Sequence, residues 1–333
     1  MTISGEFILG IETSCDDTSV ALVNRDGGVL ICETISQYAI HAEYGGVYPE
    51  LASRAHLQAI LPTIKKVLDS IKGDLDRVSG IGVTRGPGLV GSLLIGVNTA
   101  QALGLAWSKP VIGVNHLRGH LRSPDLEEKR VEYPAILLLV SGGHTFLCFM
   151  KSRVEFELLG TTRDDSIGES YDKVARMLDL GMPGGPAVDR AALDGRVIYD
   201  FPRPMINDGY EFSFSGLKSS VARLIEKNGL VSKEDVSSSF VAACLDIIET
   251  KLSRAIREFS PRSVVVVGGV AASPQVRELV EGICQEHQIR ACLPPRKWAT
   301  DNAAMVALAA WDYVAEGIKT DLRAKPNLSF TDW

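Results

Sequence analysis

Three short β-rich runs open the chain, Phe7 to Thr13, Thr18 to Asn24 and Val29 to Ile35, and turn residues separate them. They predict a strand meander. From Pro49 the pattern changes to helical spacing. Leu57, Ile60, Leu61, Ile64, Val67, Leu68 and Ile71 form an apolar stripe, with Pro62 as an expected kink or restart. Ser79 to Thr84 reads as a strand, R-G-P-G-L-V-G-S as a glycine-rich turn, Leu93 to Trp107 as a buried helix and Pro110 to Asn115 as a strand. After a charged loop, Ser123 to Pro134, the order begins again. Ala135 to Val140, Thr145 to Lys151 and Val154 to Leu159 form a second meander. Helices follow over Asp165 to Leu180 and Ser232 to Phe259, then strand Ser263 to Val267, helix Pro274 to Gln288, strand Ile289 to Leu293 and a last helix from Asn302.

Three strands followed by alternating helix and strand, twice over, is a duplication. It predicts an α/β chain of two lobes, residues 1–117 joined by 300–333, and residues 118–299. The turns at 12–18 and 141–145 are expected to face each other across a cleft.

Composition narrows the class. The 333 residues are 45% hydrophobic and 23% charged, so the chain has ample material for two cores and is not disordered. A net charge of -6 excludes wholesale coating of nucleic acid but not a local basic groove. Six cysteines without a C-x-x-C read as buried thiols of a cytoplasmic protein, and the N-terminal residues carry no signal-peptide pattern. The uncharged run Gly86 to Ser108 could span a membrane by length. Its five glycines, proline, Asn98 and Gln101 favour a helix inside a soluble core.

Candidate chemistry gathers at a few places. In N-H-L-R-G-H, His116 and His120 stand four apart, so a helix projects both from one face toward a shared metal ion; otherwise they are polar residues on a helix shoulder. Asp301, in A-T-D-N, is the third candidate ligand or else a helix cap. E-T-S-C-D-D-T supplies Glu12 and Asp16 as candidate catalytic carboxylates able to hold a cation or water; the alternative is an ordinary acidic hairpin. S-G-G-H-T offers backbone N–H groups to a phosphate, and G-M-P-G-G-P-A-V-D, residues 181–189, reads as a loop that allows close backbone approach to a ligand. Y-E-F-S-F-S-G-L-K is either a functional loop or a turn packing two phenylalanines.

Taken together, G-I-E-T-S-C-D, H-L-R-G-H, L-V-S-G-G-H-T, D-K-V-A-R, P-G-G-P, F-P-R-P-M, F-S-F-S-G-L-K, G-G-V-A-A and T-D-N resemble, in one order along nearly the whole chain, the tRNA N6-adenosine threonylcarbamoyltransferase family, once described as O-sialoglycoprotein endopeptidases. The resemblance implies the actin, hexokinase and heat-shock-protein ATPase architecture. It implies that His116, His120 and Asp301 hold one iron or zinc ion. It also implies that Leu139, Val140, Ser141, Gly142, Gly143, Asp172 and Gly185, with Asp189 close by, hold an adenylated substrate. The implied reaction moves a threonylcarbamoyl group from threonylcarbamoyl-AMP to N6 of the adenosine 3′ of the anticodon, in tRNAs reading codons that begin with A. Implied bacterial partners are a catalytically empty paralogue (TsaB) and a small ATPase (TsaE), while a separate synthase (TsaC type) makes the intermediate.

Leu139 stands where archaeal and eukaryotic relatives often carry a metal-binding tyrosine, and Ser273 where many members have asparagine, which puts one nucleotide contact in question. Three rival readings compete. A zinc protease lacks its general-base glutamate, since Leu117, Arg118 and Gly119 fill the histidine gap. A non-catalytic scaffold would have lost the metal ligands. A sugar kinase would transfer phosphate from ATP to small hydroxyl compounds.

Overall fold

The computed structural model describes residues 5–42, 44, 46–127 and 131–333. In chain order the elements are strands β1 (Phe7–Glu12), β2 (Asp17–Asn24) and β3 (Val29–Ser36), helices α1 (Tyr38–Ala42) and α2 (Pro49–Asp69), strand β4 (Val78–Gly86), helix α3 (Val90–Trp107), strand β5 (Val111–Asn115) and helix α4 (His116–Arg122). The second series is β6 (Ala135–Val140), β7 (Thr145–Met150), β8 (Phe156–Thr161), helices α5 (Ile167–Met177), α6 (Gly184–Leu193), α7 (Ser215–Asn228) and α8 (Lys233–Phe259), strand β9 (Ser263–Val267), helix α9 (Pro274–Glu286), strand β10 (Arg290–Cys292) and helix α10 (Ala303–Ala315).

The two sheets have one topology. The first runs β3-β2-β1-β4-β5 and the second β8-β7-β6-β9-β10. In each, the three meander strands pair antiparallel and the two later strands join in parallel beside the first. This is the duplication that the order of elements predicts. The chain divides into two compact units, residues 1–129 with 300–333, and residues 130–299. A boundary at 117 therefore cuts α4. The first unit keeps that helix whole because α4 packs on α10.

In the first unit, strand residues Leu9, Ile11, Val20 and Leu22 share a core with Ile60, Ile64 and Val67 of α2 and Val97 and Ala100 of α3. On β1, period-two alternation sends Gly10 to the opposite face. A Cβ there would lie 2.1 Å from the carbonyl oxygen of Ala303, so glycine is what lets α10 lie on the sheet. The second unit buries Ile136, Leu138, Val264 and Val266 against α5, α7, α8 and α9.

Several sequence expectations shift. α2 runs unbroken through Pro62, which is exposed, so the carbonyl deprived of its amide partner faces water. The stripe is narrower than its spacing suggests: Leu57 and Leu61 are 64% and 60% exposed. α3, expected to be buried, is buried on one face only, through Leu93, Val97 and Ala100, while Leu94 and Leu105 face solvent. Among the described residues it is the one helix long and apolar enough to cross a membrane. The stretch 181–189, read as a loop, turns helical at Gly184.

Candidate functional site

The histidine pair is built by the junction of β5 and α4. Asn115 ends the strand and caps the helix, its Oδ1 accepting the amide of Leu117 at 3.0 Å. The helix then carries His116 and His120 inward on one face, with ring centroids 4.7 Å apart and planes at 85°. Both are buried. Asp301 arrives from the segment before α10. It is not that helix's cap: Asn302 does this through Met305 N at 2.9 Å, which leaves the Asp301 carboxylate for the imidazoles. Nε2 of His120 lies 3.1 Å and Nε2 of His116 3.5 Å from the same oxygen, Asp301 Oδ1.

Behind this triad stands Glu12, 1% exposed at the end of β1. Its Oε2 meets Nδ1 of His116 at 2.9 Å and accepts from Thr84 Oγ1 at 2.6 Å, and its Oε1 accepts the amide of Ser14. Burial raises the Glu12 carboxyl, but His116 beside it, by charge and by hydrogen bond, brings it below its ordinary value. Burial likewise depresses His116, and the charges of Asp301 and Glu12 overcome that to raise it to about 9. Asp301 is disfavoured as an anion by burial yet ends below the carboxylate range because both imidazoles face it. Two carboxylates thus fix a positive charge at this spot, whether proton or cation.

The donor set suits a divalent iron or zinc ion. The ligand atoms of His116, His120 and Asp301 lie within 4.8 Å of one another. Two imidazoles and one carboxylate are a familiar set for these ions, and they leave further coordination positions open. A carboxylate on the far nitrogen of His116 fixes which nitrogen is free to ligate. His120 Nδ1, also buried, has no hydrogen-bond partner among the described residues. Asp16 lies in the turn after Glu12, half-buried, and its carbonyl accepts the amide of Gln37 at 3.0 Å.

The remaining candidates belong to the second unit. Leu139 and Val140 are wholly buried as the end of β6, so they shape the turn rather than offer side chains. Ser141 N donates to His144 O at 2.8 Å and closes the turn, and Gly142 and Gly143 stand on it exposed. A Cβ on either would meet nothing within 4 Å. Ser166, the cap of α5, fixes the turn from beneath by donating to Gly142 O at 2.5 Å. Gly168 packs so closely that a Cβ would lie 2.6 Å from Ser141 O.

Asp172 on α5 accepts the amide of Gly184 at 3.1 Å, while Gly185 next to it is open. Asp189 is buried, and its Oδ1 has no partner among the described residues. Burial raises the carboxyls of both Asp172 and Asp189; Gly184 opposes this at the former and the Ser273 hydroxyl at the latter. Ser273 caps α9 through a long 3.5 Å contact from Val276 N and also donates to Gln275 Oε1 at 3.3 Å. Its hydroxyl is therefore engaged within the protein. These open glycines and the buried Asp189 carboxylate fit a nucleotide's phosphate and hydroxyl groups.

Sequence reasoning missed Thr84, Ser14 and Ser166. Thr84 and Ser166 are lone hydroxyls whose partners lie outside their own segments, and Ser14, whose amide meets Glu12 within its motif, also places its Oγ 3.2 Å from Nδ1 of His116. Only Ser166, four residues before the Ser170 of S-Y-D-K, carries a local signal, the cap pattern S-x-x-E.

The family described as TsaD: tRNA N6-adenosine threonylcarbamoyltransferase matches residues 28–308. A Staphylococcus haemolyticus protein of that description is 44% identical over 332 residues, covering 98% of this chain and 97% of the relative. One from Dehalococcoides mccartyi is 42% identical over 326 residues, 97% and 99% of the two chains. Among solved structures, HypF of T. kodakarensis superposes with a TM-score of 0.60 at 14% identity over 95% of this chain and 49% of that one. The Acidaminococcus fermentans (R)-2-hydroxyglutaryl-CoA dehydratase component A does so with 0.55 at 12% identity, over 93% and 100%. At such identities the structures speak for the ATPase-type fold alone.

Proposed function

Since the chain belongs to the tRNA N6-adenosine threonylcarbamoyltransferase family and is a transferase of that class, we propose that it takes threonylcarbamoyl-AMP as donor and uses a divalent iron or zinc ion held by His116, His120 and Asp301. The acceptor is N6 of the adenosine 3′ of the anticodon, in tRNAs reading codons that begin with A. The observation that carries the reading is the convergence of two imidazole nitrogens on Asp301 Oδ1.

The chemistry asks for positioning more than for a covalent intermediate. An exocyclic amine is a weak nucleophile, but the carbamoyl–phosphate mixed anhydride is activated. The N6 lone pair forms the new C–N bond while the C–O bond to phosphate breaks and AMP leaves with the electron pair. When bound, the ion supplies Lewis-acid stabilisation and a template for substrate oxygens. The amides of Gly142 and Gly143 bind the phosphate, Gly185 allows the nucleotide to approach, and Asp172 and Asp189 receive ribose or base donors. Glu12 has its carboxylate oxygens engaged within the protein, so we assign it to holding His116 rather than to meeting substrate. Asp16, half-buried, is the carboxylate we assign to accept the proton lost from N6.

We also infer that the exposed apolar side of α2 and α3 receives the catalytically empty paralogue, with a small ATPase and a synthase completing the system in the cytoplasm. Leu57, Leu61, Leu94 and Leu105 support a helix-packing partner there. The test of the activity is direct. Metal-loaded protein with threonylcarbamoyl-AMP, unmodified tRNA and the partner proteins should yield the modified nucleoside by mass spectrometry together with AMP. Its absence, with each component shown to be active, contradicts the reading.

A further inference from the structure

The helix that carries both histidines is clasped from outside the site by residues 329–333. Asn115 uses its whole carboxamide at this junction. Its Oδ1 caps α4, while Nδ2 donates to Ser329 O at 2.7 Å and to Asp332 O at 2.9 Å. Its backbone amide lies 3.4 Å from the hydroxyl of Tyr313 on α10. One turn on, Arg118 is 2% exposed, and its guanidinium carbon sits 3.5 Å from the ring centroid of Trp333 and 5.4 Å from that of Phe330. Trp333 in turn stands edge-on to Tyr313, with centroids 5.2 Å apart.

These contacts have a directional consequence. His116 follows Asn115 immediately, and Arg118 lies midway between the two histidines. A seven-residue helix has too few internal hydrogen bonds to hold its own orientation. Asp301, by contrast, is set by the start of α10, which is anchored to the sheet through Ala303 N on Ser19 Oγ at 2.9 Å. The angle between the imidazoles and the carboxylate therefore depends on what holds α4 against α10. Arg122, with Asp125 and with Asp312 of α10, secures the far end. The tail secures the near end, and only a carboxamide can cap the helix and donate to two tail carbonyls at once.

We propose that Asn115 and Trp333 are positioning residues for the metal centre, and that the tail segment 329–333 acts as a brace setting the orientation of α4. The inference rests on the reading of His116, His120 and Asp301 as a metal site. Stacking of a buried guanidinium on indole is worth more than at an exposed site, because little water competes for the cation. Loss of Trp333 loosens the near end of α4, with the Arg122 contacts left to hold the far end, while every proposed ligand remains in the sequence.

The test is a Co2+ titration of the metal-free 333-residue protein, following the visible absorption of the bound ion and its Kd by chelator competition. Circular dichroism melting of the metal-free forms runs alongside it. Trp333→Ala and Asn115→Ser, the latter keeping an N-cap hydroxyl, should bind Co2+ about tenfold more weakly with an altered absorption envelope, the scale seen when outer-shell supports of metal ligands are removed. Trp333→Phe, which restores a ring under Arg118, should return to within about twofold of native affinity. If Trp333→Ala does not fold, the paired change Arg118→Leu with Trp333→Leu fills the slot without a buried cation and carries the same expectation. Native Kd and spectrum in the Ala and Ser variants, or in the paired variant, overturn the brace while leaving the metal site standing. A native protein that binds no Co2+ overturns the metal reading, and the brace with it.

Discussion

Glu12 and His116, 104 positions apart, meet at 2.9 Å between Oε2 and Nδ1, which turns the other nitrogen of that imidazole toward Asp301. The contact assigns the carboxylate to orientation of that imidazole and to the local negative potential. Glu12→Gln keeps the shape and can still accept from Nδ1–H, but it removes the charge. Metal affinity should fall about tenfold, with transfer at saturating metal largely retained. Chelator competition separates the two. Unchanged affinity would show that Glu12 does not tune His116.

Gly142, on the turn that follows β6, and Gly168, packed against that turn, should respond differently to a methyl group. Gly142 has open space where that methyl would stand, so Gly142→Ala should leave the melting temperature unchanged and weaken adenylate binding by occupying the ligand's place. Gly168→Ala drives a Cβ to 2.6 Å from Ser141 O and should cost stability, about 1–3 kcal/mol, as well as binding. Calorimetry with AMP and thermal melts read both. Equal melting temperatures for the two variants would refute the distinction.

Lys251 is fully buried on α8 and donates to the carbonyls of Met205 at 2.5 Å and of Asp208 and Gly209 at 3.1 Å. Burial, aided by the charge of Arg254, pushes its ammonium down from 10.5 to about 8. Between those two values the unfolded chain holds the proton and the folded chain does not, so stability from this group rises with pH across that window and is flat below it. Lys251→Met strands three carbonyls and should lose about 1–3 kcal/mol at neutral pH. Urea unfolding of both proteins from pH 7.5 to 10 should show the native advantage growing. A constant or shrinking gap contradicts the assignment.

How much of this is legible in the sequence follows from where each signal resides. The duplicated sheets are, because a meander followed by alternating helix and strand is a local pattern repeated twice. The meeting of Asp301 with the histidine pair rests on resemblance, since nothing local to A-T-D-N says where its carboxylate points. α6 is hidden because it starts at Gly184 and Gly185 and follows Pro183, residues that read as a turn until Asp172 is seen to hold the Gly184 amide. Spacing alone places Leu57 and Leu61 in the core, because it gives the apolar arc of a helix but not how much of that arc the sheet covers.

That uncovered arc gives a prediction of its own. Leu57→Asp with Leu61→Asp should leave the isolated protein's melting temperature within a few degrees, since neither side chain is buried, and should abolish co-purification of the paralogue. Retained co-purification would move the partner surface elsewhere.

If His116, His120 and Asp301 form one mononuclear site on which transfer depends, metal content measured beside transfer rate in the three alanine variants shows it. Each of His116→Ala, His120→Ala and Asp301→Ala should lose both bound metal and formation of modified adenosine, while still binding AMP through the second unit. Full transfer by a metal-free His120→Ala protein would show that transfer does not depend on a metal held there.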